Sequence, residues 1–328
     1  MQIVASGIGS WPGTEPREAI RAVRDLLVDD LPYLPELPGR GPGADMIGRA
    51  GALLEGLHVE TQPYGWRLVD RPGADEGRAA AYLRQDLDEL AEAYDGWSGP
   101  LKVQVCGPWT LAATLELTRG ERAVSDPGAR RDLVESLGEG VAAHLADLRR
   151  LVPGAQLTLQ LDEPALPAVL EGRLPTQSGY GRLRAVDRSE VRSGLRSVLD
   201  RADGVAAAVH SCAPDVPVGL IGETGVGALA LDLTLLDARA WDEVAALVES
   251  GRELWAGVVP SQGNETPTWQ AARRRVVDPW RRIGLGEDRL AQVRVTPSCG
   301  LAGLPPSAAV GSQRLAVEVA RSLTEYPG

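Results

Sequence analysis

The chain has 328 residues, 44% of them hydrophobic, and a net charge of −11. That length is ordinary for an α/β barrel with a large core, while the acidic balance argues against nucleic acid or an anionic membrane surface as the main partner. No stretch approaches the roughly 18 uninterrupted apolar residues of a membrane span, and no basic leader or cleavage site precedes the first strand-like segment, so a cytoplasmic protein is expected. Cys106, Cys212 and Cys299 are too few for a disulfide framework, and their odd number fits a reducing compartment with thiols free for metal or packing.

A first strand is predicted over residues 3–9, closed by Ser10-Trp11-Pro12-Gly13. Ala19, Ile20, Val23, Leu26 and Leu27 recur at helical spacing and predict a helix over 15–28. Residues 31–37 read as a second strand broken by Pro32 and Pro35, followed by a loop over 38–43 and a helix over 44–57. Residues 58–74 read as an irregular excursion. Then come a helix over 75–94, a strand over 101–106, a helix over 109–117 and a long amphipathic helix over 126–151, capped by Ser125 or Asp126. A strand over 156–161 ends at Asp162-Glu163-Pro164, and helices over 165–170 and 188–202 lead to the apolar run 204–209. The last elements are strands over 227–231, 254–259 and 292–296, alternating with helices over 238–250, 268–283 and 306–325. Eight strands each followed by a helix imply a parallel sheet. The expected fold class is therefore α/β, a single-domain (β/α)8 TIM barrel over residues 1–328, with a doubly wound sheet as the alternative.

Polar residues gather where the predicted strands end: Ser10, Glu36, Cys106, Asp162, Glu163, His210, Cys212, Asp232, Ser261, Gln262 and Cys299. In a barrel those ends form one face, where active sites are built. His210 and Cys212 are separated by one residue at the end of an extended run, so imidazole and thiolate point to the same side. Zinc favours this mixture of nitrogen and sulfur. By itself the pair also suits a packed strand-end histidine beside a buried thiol; Cys299, at the end of the eighth strand, adds a third soft ligand.

Taken with the late Val295-Thr296-Pro297-Ser298-Cys299-Gly300, the chain resembles the catalytic C-terminal barrel of cobalamin-independent methionine synthase, in the uroporphyrinogen-decarboxylase-like superfamily. Ile8-Gly9-Ser10-Trp11-Pro12, Gly107-Pro108-Trp109-Thr110 and Leu161-Asp162-Glu163-Pro164-Ala165 match further motifs of that family in order. The resemblance implies a zinc ion on His210, Cys212 and Cys299 that binds the thiol of homocysteine. The family's remaining ligand is a glutamate after strand six; here Asp232 stands there, with Glu223 as the alternative. It implies that Gly9 and Ser10 bind the amino-acid carboxylate. Asp162 then takes the amino group together with Glu36, for which Asp45 is an alternative. Trp11 and Trp109 are expected to line a donor pocket, and Asp162 and Glu163 are the candidate catalytic acids.

A free thiol has a pKa near ~8.5 and is a weak nucleophile until ionised, whereas a coordinating thiol is deprotonated outright. Two thiolates, an imidazole and a carboxylate make an electron-rich zinc site, suited to thiolate alkylation rather than hydrolysis. The expected activity is a zinc-dependent methyl transfer to homocysteine, giving methionine. Alternatives are alkyl transfer to another thiol of the coenzyme M type, a decarboxylase-like protein without zinc, and a binder without turnover. The family's long form has a preceding second barrel and a histidine in the loop after strand seven. This chain shows no such barrel, and residues 260–267 contain no histidine; the other two histidines are His58 and His144. The expected methyl donor is accordingly a methyl-corrinoid, free or protein-bound, rather than methyltetrahydrofolate, with Glu265 or Glu163 as the proton source if the folate serves.

Overall fold

The computed structural model describes residues 2–263 and 267–326. Helix α1 (Pro16–Leu26) begins on proline, whose missing N–H would have no partner there anyway, and buries Ala19, Ile20 and Val23. Helix α2 (Met46–Gly51) is capped by Asp45, which accepts from Ile47 N and Gly48 N. It is shorter than predicted, because the chain leaves it for a hairpin. Residues predicted as irregular form the antiparallel pair β1 (His58–Gln62) and β2 (Gly65–Val69). Charged and polar side chains on most of its positions hide the period of two that would have announced it. The chain continues as α3 (Ala74–Ala93), β3 (Pro100–Cys106), α4 (Pro108–Thr114), α5 (Pro127–Leu151), β4 (Gln156–Asp162), α6 (Leu166–Glu171) and α7 (Arg188–Asp200). It ends with β5 (Ala206–Ser211), α8 (Val218–Gly222), β6 (Ala228–Asp232), α9 (Ala238–Glu249), β7 (Glu253–Val259), α10 (Trp269–Arg282), β8 (Val293–Pro297) and α11 (Pro306–Thr324).

Strands β3 to β8 form one parallel sheet in sequence order, with helices between them, so the α/β expectation is met. The two segments expected as the first and second strands attach through isolated parallel bridges. Ala5 pairs with Val295 on β8, Ser6 with Leu31, Ser10 with Glu36, and Tyr33 with Lys102 on β3. The bonds are of ordinary length: Ser6 N to Val295 O is 2.9 Å, and Leu34 N to Lys102 O is 3.0 Å. Pro32 and Pro35 remove two donors from the second segment, which therefore cannot run a continuous ladder.

One face of the sheet carries Leu101, Val103, Val105, Leu159, Leu161, Leu229 and Leu231, which are buried in the main core with the apolar sides of the helices. On the other face the register sets Gln104 beside Gln160 and Asp162 beside His210. Lower on that face the small Ala208, Ala228 and Ala230 leave room for Trp255, packed with Ile8 and Leu31 in a separate apolar cluster. Polar groups thus collect toward the C-terminal ends of the strands. Among the described residues no helix is long and apolar enough to cross a membrane.

Candidate metal centre

Asp162 ends β4 and His210 lies opposite it on β5, so both side chains leave the sheet together. Asp162 Oδ1 lies 2.8 Å from His210 Nδ1 and accepts from Gln160 Nε2 at 2.7 Å. A carboxylate on one ring nitrogen is the arrangement that orients metal-binding histidines. The other nitrogen, His210 Nε2, is buried and has no hydrogen-bond partner. Cys212 follows β5 and Cys299 follows β8, and ligand atoms of His210, Cys212 and Cys299 lie within 4.8 Å of one another. The two sulfurs are 2.7 Å apart, longer than the ~2.05 Å of a disulfide. Donation from Cys212 holds the Cys299 thiol below its usual pKa, helped by His210 and the Gly300 N–H, while Cys212 is raised.

A cavity of about 350 Å³ opens onto this cluster. It is lined by Ile8, Gly9, Ser10, Glu36, Pro38 and Met46 from the N-terminal segments and by Asp162, Pro164, His210, Cys212, Cys299 and Gly300 from the later strand ends. That volume is at the small end of ligand sites, fit for a metabolite of amino-acid size. Ser10 is fixed against Glu36 by the parallel bridge: Glu36 N donates to Gly9 O at 3.0 Å and Trp11 N to Glu36 O at 2.8 Å. A Cβ on Gly300 would stand 2.0 Å from Ser10 Oγ, so a side chain there would displace the serine hydroxyl. Glu36 is buried, which raises its pKa, and Arg49 at 3.4 Å opposes that rise. Arg49 is itself tied to Asp86, which also takes Arg40 at 2.8 Å.

Asp232 ends β6 half-buried, and its Oδ1 accepts from Thr234 N at 2.9 Å and Thr234 Oγ1 at 2.7 Å. It is outside the three-residue ligand cluster. It borders a second cavity, of about 550 Å³, with Thr234, Pro260, Ser261, Gln262, Arg275, Ser298 and the same two cysteines. The sulfur pair therefore stands between two cavities, with Asp232 on the far one. Glu223 does not approach either: it is exposed and takes Arg192 at 2.7 Å. Asp45 is occupied as the α2 cap and by Trp66 Nε1 at 3.2 Å, and it does not line the cavity.

Three expectations meet a different arrangement. Glu163 is completely buried and does not line the cavity. Its carboxylate accepts from Trp109 N at 2.9 Å, Thr110 N at 2.7 Å and Thr110 Oγ1 at 2.7 Å, closing the first turn of α4. Burial pushes its pKa up to about 7 against those donors. Trp109 is also core: its indole N–H donates to Val191 O at 2.9 Å, and its ring edge borders a groove between α5 and α7, away from the cysteines. Trp11 is buried in the main core. Indole is large and apolar, and both rings found more contact behind the cavity wall than in it. His58 pairs with Glu76 at 3.1 Å, and His144 is buried in α5, where burial lowers its pKa to about 4. Glu265 lies outside the described residues.

Sequence reasoning missed Arg49, Lys102, Gln104 and Gln160. A signal existed for three of them. Lys102 and Gln104 alternate with Leu101, Val103 and Val105, and Gln160 interrupts Leu159 and Leu161. Polar residues at every second position of an otherwise apolar strand mark an inward polar face.

Residues 3–322 match the family model described as the cobalamin-independent synthase, catalytic domain. Among solved structures, the B12-independent methionine synthase from Shewanella sp. W3-18-1, in complex with selenomethionine, is similar with a TM-score of 0.66 and 13% identity. That match covers 99% of this chain and 98% of the other. A methylaspartate ammonia lyase mutant from Clostridium tetanomorphum aligns at a TM-score of 0.46 and 11% identity, over 99% of this chain and 60% of that one. No curated protein matches. With the match extending over nearly every described element, the chain belongs to the cobalamin-independent methionine synthase family, through that family's catalytic domain.

Proposed function

We propose that the protein transfers a methyl group to the thiol of homocysteine at a zinc ion held by His210, Cys212 and Cys299, with Asp232 as the remaining protein ligand. The observation that carries this reading is the buried, partnerless Nε2 of His210 beside the two cysteine sulfurs at a cavity wall. Leaving a buried ring nitrogen without a partner is costly, and one nitrogen with two sulfurs is a donor set that suits zinc. Bound there, zinc supplies a redox-silent positive charge that keeps a thiol ionised at neutral pH.

The chain's own residues bind and aim the substrate. The ammonium of homocysteine goes to Glu36 and Asp162, and its carboxylate to the Gly9–Ser10 turn beside Gly300. Its side chain then reaches toward Cys212 and Cys299. Carboxylates for an ammonium favour an amino thiol over an anionic one such as coenzyme M. Asp162 also holds His210 by its Nδ1. Glu163 acts as a positioning residue, fixing the start of α4 behind the cavity. The active face is that of an eight-membered ring in one domain, in which the segments carrying Ser10 and Glu36 take the first two places.

In the transfer a sulfur–carbon bond forms and the donor's bond to the methyl carbon breaks. A folate donor leaves as a nitrogen that needs a placed acid. Residues 260–267 contain no histidine, and both Glu163 oxygens are engaged elsewhere. A methyl-corrinoid leaves without that need and is the donor we favour over methyltetrahydrofolate. The test offers the zinc-loaded protein and homocysteine each donor separately and quantifies methionine. Turnover with methylcobalamin supports the reading, turnover with the folate alone replaces the donor, and no methionine from either overturns the function.

A further inference from the structure

Lys102 is completely buried on the inner face of β3, where a lysine is rarely found unless paired. Nothing in the proposed reaction uses it. Its Nζ donates to Ile8 O at 2.7 Å, Gln104 Oε1 at 3.1 Å and Gln160 Oε1 at 2.9 Å, and it lies 5.1 Å from the centre of the Tyr33 ring. Three acceptors surround the nitrogen, one for each N–H of an ammonium. Burial lowers its pKa to about 7, while Asp162 and Glu36 pull it upward.

An ammonium has no lone pair, so it can only donate. Both glutamines must therefore turn their oxygens to Lys102 and their NH2 groups away from it. Gln160 Nε2 then donates to Asp162 Oδ1 at 2.7 Å and Ile8 O at 2.8 Å. Gln104 Nε2 donates to Leu34 O at 2.7 Å, two residues before Glu36. Ile8 O, held by both Lys102 and Gln160, fixes the turn that carries Gly9 and Ser10. One cation beneath the cavity thus forks through two amides, to the Asp162 carboxylate and to the backbone of the segment that carries Glu36.

We propose that Lys102 is a positioning residue that sets the cavity's selectivity for a primary ammonium. It does so by dictating which way Gln104 and Gln160 face, so that one amide N–H backs the Asp162 carboxylate and the other holds the backbone that presents Glu36 to the cavity. Without Lys102 either amide can turn its oxygen onto the acceptor its N–H now holds and push it out of line. The inference rests on the reading of the cavity as an amino-acid site.

The experiment measures binding of methionine and of 4-(methylthio)butanoate, the same molecule without its amino group, by calorimetry. It compares the full-length protein with Lys102→Met and Gln160→Met, each checked for folding by near-ultraviolet circular dichroism. Wild type should prefer methionine. Both variants should lose about tenfold in methionine affinity, the scale of one charge-assisted hydrogen bond, with the analogue within twofold. If Lys102→Met does not fold, Gln160→Met decides, since it keeps the cation and severs one arm. Equal losses for both ligands, or none, overturn the proposal and leave the amino-acid reading standing. A wild type that binds both ligands alike overturns the amino-acid reading, and the proposal with it.

Discussion

Replacing Asp162 by asparagine isolates the carboxylate's hold on His210, the proposed metal ligand. The side chain keeps its shape, and its Oδ1 can still accept from His210 Nδ1 and Gln160 Nε2, now at 2.8 and 2.7 Å. What changes is charge. A hydrogen bond to an ionised group contributes ~1.5–3 kcal/mol and a neutral one ~0.5–1.5, so each of the two bonds weakens by roughly 1 kcal/mol. Both partners are buried, at 6% and 3% exposure, so water does not screen the loss. Two such bonds amount to roughly 2 kcal/mol, or about 30-fold in an equilibrium constant. The His210 bond alone acts directly on the ligand, so zinc affinity should fall by about 5-fold from that bond and by at most about 30-fold if both contribute, overlapping the range for outer partners of metal ligands. Competition for zinc against a chromophoric chelator reads this directly. Affinity unchanged within a factor of two would refute the claim that Asp162 governs His210.

Asp232→Ala should weaken zinc binding by more than the ~10–100-fold of an outer partner, whereas Glu223→Ala, altering an exposed residue paired with Arg192, should leave it unchanged in the same competition. The opposite ranking would transfer the fourth ligand. Glu163, raised by burial to about 7 from an ordinary carboxylate value, contributes stability that is full below about pH 4 and lost as pH rises through about 7. Glu163→Gln cannot ionise, so thermal melts between about pH 5 and 8 should show a flatter pH dependence than wild type. It should also be less stable at acid pH by roughly 1–3 kcal/mol, because an amide N–H faces donors. A variant with the wild-type slope would show that Glu163 does not titrate in this window.

The regular part of the fold was legible because apolar runs such as 156–161 and 254–259 are long enough to specify buried strands, and β4 and β7 end within a residue of expectation. The second segment reads as a strand broken by Pro32 and Pro35, and it attaches only by isolated bridges at Leu31, Tyr33 and Glu36. The hairpin at β1 and β2 was hidden by its polar composition. At the site, His210, Cys212 and Cys299 could be read because soft ligands at strand ends are chemically unusual. Glu163 and Trp109 sit in motifs just as visible, yet packing decided their direction: one closes a helix start and the other fills the core. Lys102 was missed since a lone lysine in a strand reads as solvent-facing, and only the arrangement of Ile8, Gln104 and Gln160 around it makes a buried ammonium tolerable.

In the proposed site two protein sulfurs and one histidine hold a zinc ion to which the substrate's sulfur adds. X-ray absorption at the zinc edge counts those sulfurs directly. The zinc-loaded protein should show two sulfur neighbours at about 2.3 Å with nitrogen or oxygen completing the shell, and three after homocysteine is added. A shell with no sulfur, or one that homocysteine leaves unaltered, would contradict that assignment.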